Sequence, residues 1–180
     1  MERCRMVFSG SGGQGVITAA IILSEAAVLH EGLNAVQTQA YGAAARGGAT
    51  RTDVIISGAK INYPKVIQAN VLVCLTQESY NKFYSIVRPG GLLITDTRYV
   101  QTQKKVDAIQ RELPLYTSVM DTIGKPIVFN ICMLGAVIGL TKLVKPESIL
   151  SVLEKRIPSA FVEMNRAALD LGFSLVKDIE

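Results

Sequence analysis

Short apolar runs recur along the first two-thirds of the chain, each followed by a helical pattern or a turn signal. Met6–Ser9 predicts a first strand, and the Ala-rich apolar stretch Gln14–His30 predicts a long helix behind it. Ala35–Gln39 reads as a second strand. The β-branched run Thr50–Ile56 ends in Ser57-Gly58-Ala59-Lys60, a turn signal before Ile61-Asn62-Tyr63, so a β-hairpin is predicted here. Val71–Leu75 is continuously apolar, the pattern of a parallel strand buried on both faces. A short helix over Glu78–Val87 stops at Arg88-Pro89-Gly90-Gly91, and Leu92–Thr95 forms the next strand, ending in Asp96. Val106–Glu112 then reads as a helix stopped by Pro114, and Leu115–Met120 as a strand. The last third is helical: Ile127–Leu143, Glu147–Arg156 behind Pro146, and Ser159–Leu171 ending at Gly172.

This alternation predicts an α/β fold, a three-layer Rossmann-like sandwich with a mostly parallel sheet, a β-hairpin and a helical C-terminal lobe. No internal repeat or low-complexity linker divides the chain, so residues 1–180 are expected to form a single domain. Ligands on such sheets bind beyond the carboxyl ends of the strands, near a topological switch. The loops Gly10–Gly15, Thr38–Gly48 and Leu75–Glu78 are the candidates for that edge.

One of these loops carries recognisable chemistry. Gly10-Ser11-Gly12-Gly13-Gln14-Gly15 joins a predicted strand to a predicted helix, the arrangement that brings backbone N–H groups and a helix N-terminus to a phosphate. Gly10, Gly12 and Gly15 satisfy G-x-G-x-x-G, the dinucleotide fingerprint. The loop also approaches a P-loop, but Val16 and Ile17 stand where Lys and Ser/Thr are needed, which excludes the NTPase reading. A dinucleotide site wants an acid about 20 residues past the glycines, at the end of the second strand. Here that strand ends in Gln37-Thr38-Gln39, and the nearest acid, Glu31, falls at the helix end. This weakens a free-standing NAD- or FAD-binding oxidoreductase without removing it, and speaks equally against an S-adenosylmethionine methyltransferase. The glycines can also serve only a tight turn and close helix–sheet packing.

Composition narrows the field. Hydrophobic residues make up 49% and charged residues 19%, with mean hydropathy +0.30, so part of the apolar excess is expected to face a partner. The net charge of +4 is dispersed, which argues against nucleic acid and fits a small polyanionic cofactor or an acidic partner. Val16–Leu29 and Ile127–Leu140 are too short and too interrupted for membrane spans, and no signal-peptide pattern opens the chain, so a cytoplasmic location is expected. Three scattered cysteines, Cys4, Cys74 and Cys132, form neither a disulfide framework nor a cluster set, and read as buried inert thiols. With His30 as the single histidine, no metal site or catalytic triad is expected, and no residue is assigned a catalytic role.

Taken together, Gly10-Ser11-Gly12-Gly13-Gln14-Gly15, Gln37-Thr38-Gln39-Ala40-Tyr41-Gly42, Ala45-Arg46-Gly47-Gly48, Ile61-Asn62-Tyr63-Pro64 and the Asn130–Leu140 helix resemble the gamma subunit of the 2-oxoacid:ferredoxin oxidoreductases, with the Gln-Thr-Gln stretch closest to the 2-oxoglutarate members. The resemblance runs from Gly10 to about Gly172. It implies a subunit, inactive alone, of an assembly that decarboxylates a 2-oxoacid on thiamine diphosphate, passes electrons singly to ferredoxin through iron–sulfur clusters and releases an acyl-CoA. Alpha and beta subunits then hold thiamine diphosphate and its Mg, with clusters in beta or in a ferredoxin-like delta subunit. Gamma is implied to pack on alpha and beta and to help present coenzyme A. The resemblance makes Gly10, Ser11, Gly12, Gly13, Gln14, Gly15, Arg46, Gly47 and Gly48 the candidate cofactor-binding residues. Arg46 on a Gly-Gly turn can fork onto phosphate, and Arg51, Lys60 and Lys65 can add charge nearby; the alternative for each is an ordinary solvated cation. Where the family carries Pro-Glu, this chain has Ala43-Ala44, which removes a salt-bridge partner for Arg46.

Overall fold

The computed structural model describes residues 2–40, 48–103 and 105–179. Six strands, β1 (Cys4–Gly10), β2 (Asn34–Ala40), β3 (Thr50–Ser57), β4 (Ala69–Cys74), β5 (Val87–Asp96) and β6 (Ala108–Leu113), form one sheet in the order β2-β3-β1-β4-β5-β6. The β1–β4, β4–β5 and β5–β6 pairs are parallel. β3 runs antiparallel to both of its neighbours, β1 and β2. The helices are α1 (Val16–His30), α2 (Gln77–Phe83), α3 (Leu115–Thr122), α4 (Phe129–Thr141), α5 (Pro146–Arg156) and α6 (Val162–Ser174).

Strand alternation sends side chains to two different cores. Met6, Phe8, Val54, Ile56, Val71, Val73 and Ile94 face a thick layer built from α1, α3, α4, α5 and α6. Val7, Ile55, Leu72, Cys74 and Leu93 face a thin layer in which α2 supplies Tyr80 and Phe83. Helices therefore cover both faces of the sheet, as the continuous apolar strands require. α4 lies in the middle of the thick layer, buried from Phe129 to Gly139 on every side. That explains why its sequence is apolar all round rather than amphipathic.

Five expectations are corrected. No strand forms at Ile61–Tyr63; β3 pairs instead with β2 and β1, and the segment after Ser57 is held by side chains. Its clamp is a fork of Arg51 onto Asp53, at 2.7 and 3.0 Å, with Asp53 Oδ2 accepting the Val66 N–H at 3.1 Å and Arg51 donating to the Val66 carbonyl at 2.7 Å. Residues 108–113 are a strand, not a helix, and residues 115–122 a helix, not a strand. Gly172 lies inside α6 rather than ending it, because α4 and α6 touch there: a Cβ on Gly172 would run into the Cys132 carbonyl. The Arg88–Gly91 stop is itself part of β5, after a single 3-10 turn at Tyr84–Ile86.

Candidate functional site

The carboxyl ends of β1, β2, β4, β5 and β6, with the start of β3, share one edge of the sheet. At its centre the loop Gly10–Gly15 leaves β1 and turns into α1. The turn needs left-handed backbone at Gly13 (φ 89°) and at Gly15 (φ 73°), the residue that precedes α1. Among the described residues no side chain caps α1, and no acid occupies its first turn, so its positive dipole end is left open. The same turn opens on a cavity of about 380 Å³ lined by Ser11, Gly12, Gly13, Val16, Thr18 and Thr50. Thr50 reaches it because β3 starts directly beside Gly10.

Gln14 organises the inner side of this loop. Its Oε1 accepts the Ser11 N–H at 2.8 Å, and its Nε2 donates to the Leu75 carbonyl at 3.2 Å, tying the turn to the end of β4. A Cβ on Gly10 would stand 2.5 Å from that Oε1, so Gly10 is the residue that gives Gln14 its place. Two loop donors are thus used internally, the Ser11 N–H on Gln14 and the Gln14 N–H on the Ser11 carbonyl at 3.3 Å, which leaves the start of α1 as the open face. Beneath the turn, Asn130 at the start of α4 donates to the Gly15 carbonyl at 3.3 Å, and a Cβ on Gly15 would stand 2.6 Å from its Nδ2. The other side of the loop borders an apolar cavity of about 410 Å³ whose walls include Ile22, Ile127, Phe161 and Met164.

The Leu75–Glu78 loop lies on the same edge, as expected. Thr76 and Ser79 form a reciprocal capping box that starts α2, at 3.2 Å each way. Glu78 accepts the Ala49 N–H at 3.3 Å, which fixes the segment entering β3 just after Gly48. Arg46 and Gly47 lie outside the described residues. Arg51 is spent on Asp53, Val66 and the Phe83 ring, whose centroid lies 5.3 Å from the guanidinium carbon. Lys60 follows the carboxyl end of β3, which places it at the opposite edge of the sheet. Lys65 lines a separate cavity with Arg5 and Tyr63. Neither lysine joins the glycine loop. Asn130 and Thr50 are the contributors that sequence reasoning missed. The signal for Asn130 was the lone carboxamide at the head of a wholly apolar helix.

The position that an acid occupies in a dinucleotide site is built differently here. β3 separates β2 from β1, so the end of β2 stands about 10 Å, two strand spacings, from the glycine loop. Gln37 on β2 is engaged with the Thr52 hydroxyl at 2.7 Å. Burial pushes the thiols up, Cys4 to about 11 and Cys74 and Cys132 to about 12, so all three stay protonated near neutral pH. No helix among the described residues is long and apolar enough to cross a membrane.

Fold and site together define a Rossmann-like domain that offers an anion a glycine turn and a bare helix end. The chain belongs to the pyruvate ferredoxin/flavodoxin oxidoreductase family, whose model matches residues 5–175. It is 40% identical, over 95% of its length and 92% of the relative's, to the 2-oxoglutarate synthase subunit KorC of Methanocaldococcus jannaschii. The KorC of Methanothermobacter marburgensis is 35% identical over 94% of this chain and 95% of its own. The keto/oxoacid ferredoxin oxidoreductase gamma subunit from Geobacter sulfurreducens superposes with a TM-score of 0.89 at 36% identity, covering 97% of both chains. A 2-oxoglutarate:ferredoxin oxidoreductase from Magnetococcus marinus, solved with 2-oxoglutarate, coenzyme A and succinyl-CoA bound, shares the fold with a TM-score of 0.90. It does so at 18% identity, over all of this chain and 32% of that one. The resemblance to the gamma subunits of the oxoacid oxidoreductases is thereby borne out, and the chain is a subunit of an oxidoreductase.

Proposed function

We propose that this chain is the gamma subunit of a 2-oxoglutarate:ferredoxin oxidoreductase, and that it holds the pyrophosphate end of coenzyme A at the glycine loop while partner subunits carry out the chemistry. The observation that carries the reading is the uncapped start of α1, opening behind a left-handed Gly15 onto a cavity bordered by Gly12, Gly13, Val16 and Thr18. A pyrophosphate there meets the α1 dipole, worth roughly 0.3–1 kcal/mol per charge when exposed and more when partly buried. The full-length identity to the KorC subunits favours 2-oxoglutarate over other 2-oxoacids. The intervening β3, with no acid at the end of β2, leaves the nicotinamide reading without its ribose contact.

In this reading alpha and beta subunits pack on the chain and hold thiamine diphosphate, Mg and the iron–sulfur clusters, with ferredoxin as the eventual electron acceptor. Residues 1–180 act as one cytoplasmic unit, and Arg46-Gly47-Gly48 adds a second anion contact. Decarboxylation and electron transfer need the thiamine and the clusters, so this chain's contribution is to bind, to orient and to exclude water.

Gly12 provides the test. Among the described residues its Cβ would meet nothing within 4 Å, and its φ lies outside the left-handed region, so Gly12→Asp adds a negative charge to the loop without backbone strain. In the assembled complex, calorimetry is expected to show coenzyme A bound at least tenfold more weakly, with the 2-oxoglutarate KM unchanged. Unaltered coenzyme A affinity in a folded Gly12→Asp complex overturns the reading.

A further inference from the structure

A cation stands on the same edge, outside the glycine loop. In the sheet, Ser9 is level with Cys74 and Cys74 with Thr95, so the carboxyl end of β5 lies two strands from that of β1. Two strand spacings put Asp96 about 10 Å from Gly10. Asp96 is fully buried and accepts the Arg98 N–H at 2.9 Å and the Tyr116 N–H at 2.8 Å, which folds the chain back at residue 97 and starts α3. The result stacks Arg98 over two rings, its guanidinium carbon 5.0 Å from the Tyr116 centroid and 5.8 Å from that of Tyr99.

The rings are themselves fixed. Tyr99 and Tyr116 meet edge to face at 5.3 Å, and Tyr116 meets Phe129 at 5.5 Å, the residue next to Asn130 beneath the glycine loop. Arg98 is exposed, and among the described residues no ion pair engages it. The buried Asp96 carboxylate and the Tyr99 hydroxyl also interact with this guanidinium, but it lies over two aromatic rings and forms no ion pair among the described residues, which leaves it able to fork onto phosphate.

We propose that Arg98, held on Tyr116 and Tyr99, binds the 3′-phosphate at the adenosine end of coenzyme A while the glycine loop takes the pyrophosphate. This rests on the coenzyme A reading above, and it assigns a discriminating residue that the glycine motif does not contain. The two anionic groups of the ligand are joined through one ribose, a separation that the 10 Å edge and the reach of an arginine side chain accommodate. Coenzyme A and dephospho-coenzyme A, which differ only in the 3′-phosphate, then separate the two sites.

The experiment is calorimetric titration of both ligands into the assembled complex carrying wild-type chain, Arg98→Met, Arg98→Lys or Gly12→Asp. The expected result is that Arg98→Met weakens coenzyme A about tenfold and leaves dephospho-coenzyme A unchanged, erasing the preference between them. Arg98→Lys, which keeps the charge but loses the fork, restores part of that preference. Gly12→Asp weakens both ligands alike. If Arg98→Met weakens both ligands equally, or neither, Arg98 does not read the 3′-phosphate and the proposal falls. If Arg98→Met prevents assembly and Arg98→Lys assembles with wild-type affinity for both ligands, Arg98 is a subunit contact and the proposal likewise falls. If Gly12→Asp changes nothing while the Arg98 variants behave as expected, it is the glycine-loop reading that fails.

Discussion

Gln14 commits a single carboxamide to two backbone groups on different elements, the Ser11 N–H and the Leu75 carbonyl. A glutamine suits this task because it presents a donor and an acceptor on one carbonyl carbon, and no charge that would repel a phosphate. Gln14→Met keeps the length and removes both bonds, leaving the Ser11 N–H to water and the loop untied from β4. Each such bond contributes about 0.5–1.5 kcal/mol, and both are partly solvated here, so a loss of about 1 kcal/mol is expected. Denaturant midpoints measure that loss, and faster hydrogen exchange at the Ser11 amide shows that it arises in the loop. An unchanged Ser11 exchange rate would contradict the tie. Gly15 shows a complementary constraint: its left-handed backbone and the Asn130 carboxamide beneath it each exclude a side chain, for independent reasons. Sequence reasoning reads the glycines at this site easily, because a special backbone angle leaves few residue choices. It cannot see Asn130, Thr50 or the Arg98 stack, since their places follow from helix and strand packing far along the chain.

Among the elements, those buried on both faces are legible and those at the edge are not. β1, β4, α1 and α4 carry largely apolar runs because most of their neighbours are apolar, and their positions follow directly from sequence. β6 is the last strand of the sheet, with mixed burial along Ala108–Leu113 and helix-forming Gln110, Arg111 and Glu112. Its pairing with β5 overrides that local preference. Leu115–Met120 errs the other way: β-branched and aromatic residues favour a strand, but the Asp96 carboxylate supplies the acceptor that starts α3. That carboxylate comes from twenty positions earlier, beyond any local pattern. Gly172 reads as a helix stop because glycine commonly ends helices. Here it lets two helices touch, Gly172 on the Cys132 carbonyl and Gly135 on the Leu169 carbonyl. Gly172→Ala drives a methyl into backbone that cannot give way as a side-chain tip would, so a loss of about 3 kcal/mol is expected. Gly12→Ala, in open space, serves as the control and is expected to change stability by less than about 0.5 kcal/mol. Denaturant unfolding of the two variants makes the comparison; equal stabilities would mean that α4 and α6 do not meet as closely as described.

At the scale of the whole molecule, α5 is strapped to α1 at both of its ends, and α5 also walls the apolar cavity beside the glycine loop. At its start, the Glu31 carboxylate accepts the Lys145 N–H at 2.9 Å and the Ser148 hydroxyl at 2.6 Å. At its end, the Arg156 guanidinium forks onto Glu25, the Nε bond measuring 2.6 Å. The Ser148 hydroxyl, then the Lys145 N–H, hold Glu31 below the usual carboxylate range, and the Arg156 guanidinium does the same for Glu25. Asp96 moves the opposite way, raised by burial despite its backbone donors. The signs follow by linkage. Glu25 and Glu31 stabilise the fold above their unfolded pKa of about 4.3, and that stability is lost as pH falls through their lowered folded values. Asp96 favours the protonated fold, so its contribution is present below about pH 3.9 and disappears as pH rises through its raised value. The two effects oppose each other in the wild-type profile, but Asp96 is common to wild type and Glu31→Gln and cancels in their difference. That difference is expected to be about 0.5–1 kcal/mol at pH 7, small because the strap is largely exposed, and to shrink as pH falls through the lowered Glu31 value and Glu31 itself becomes neutral. Denaturant unfolding of both proteins across this range measures it. A difference that persists at low pH would mean that Glu31 holds α5 through its shape rather than its charge, and the loop beside it would then be insensitive to acid.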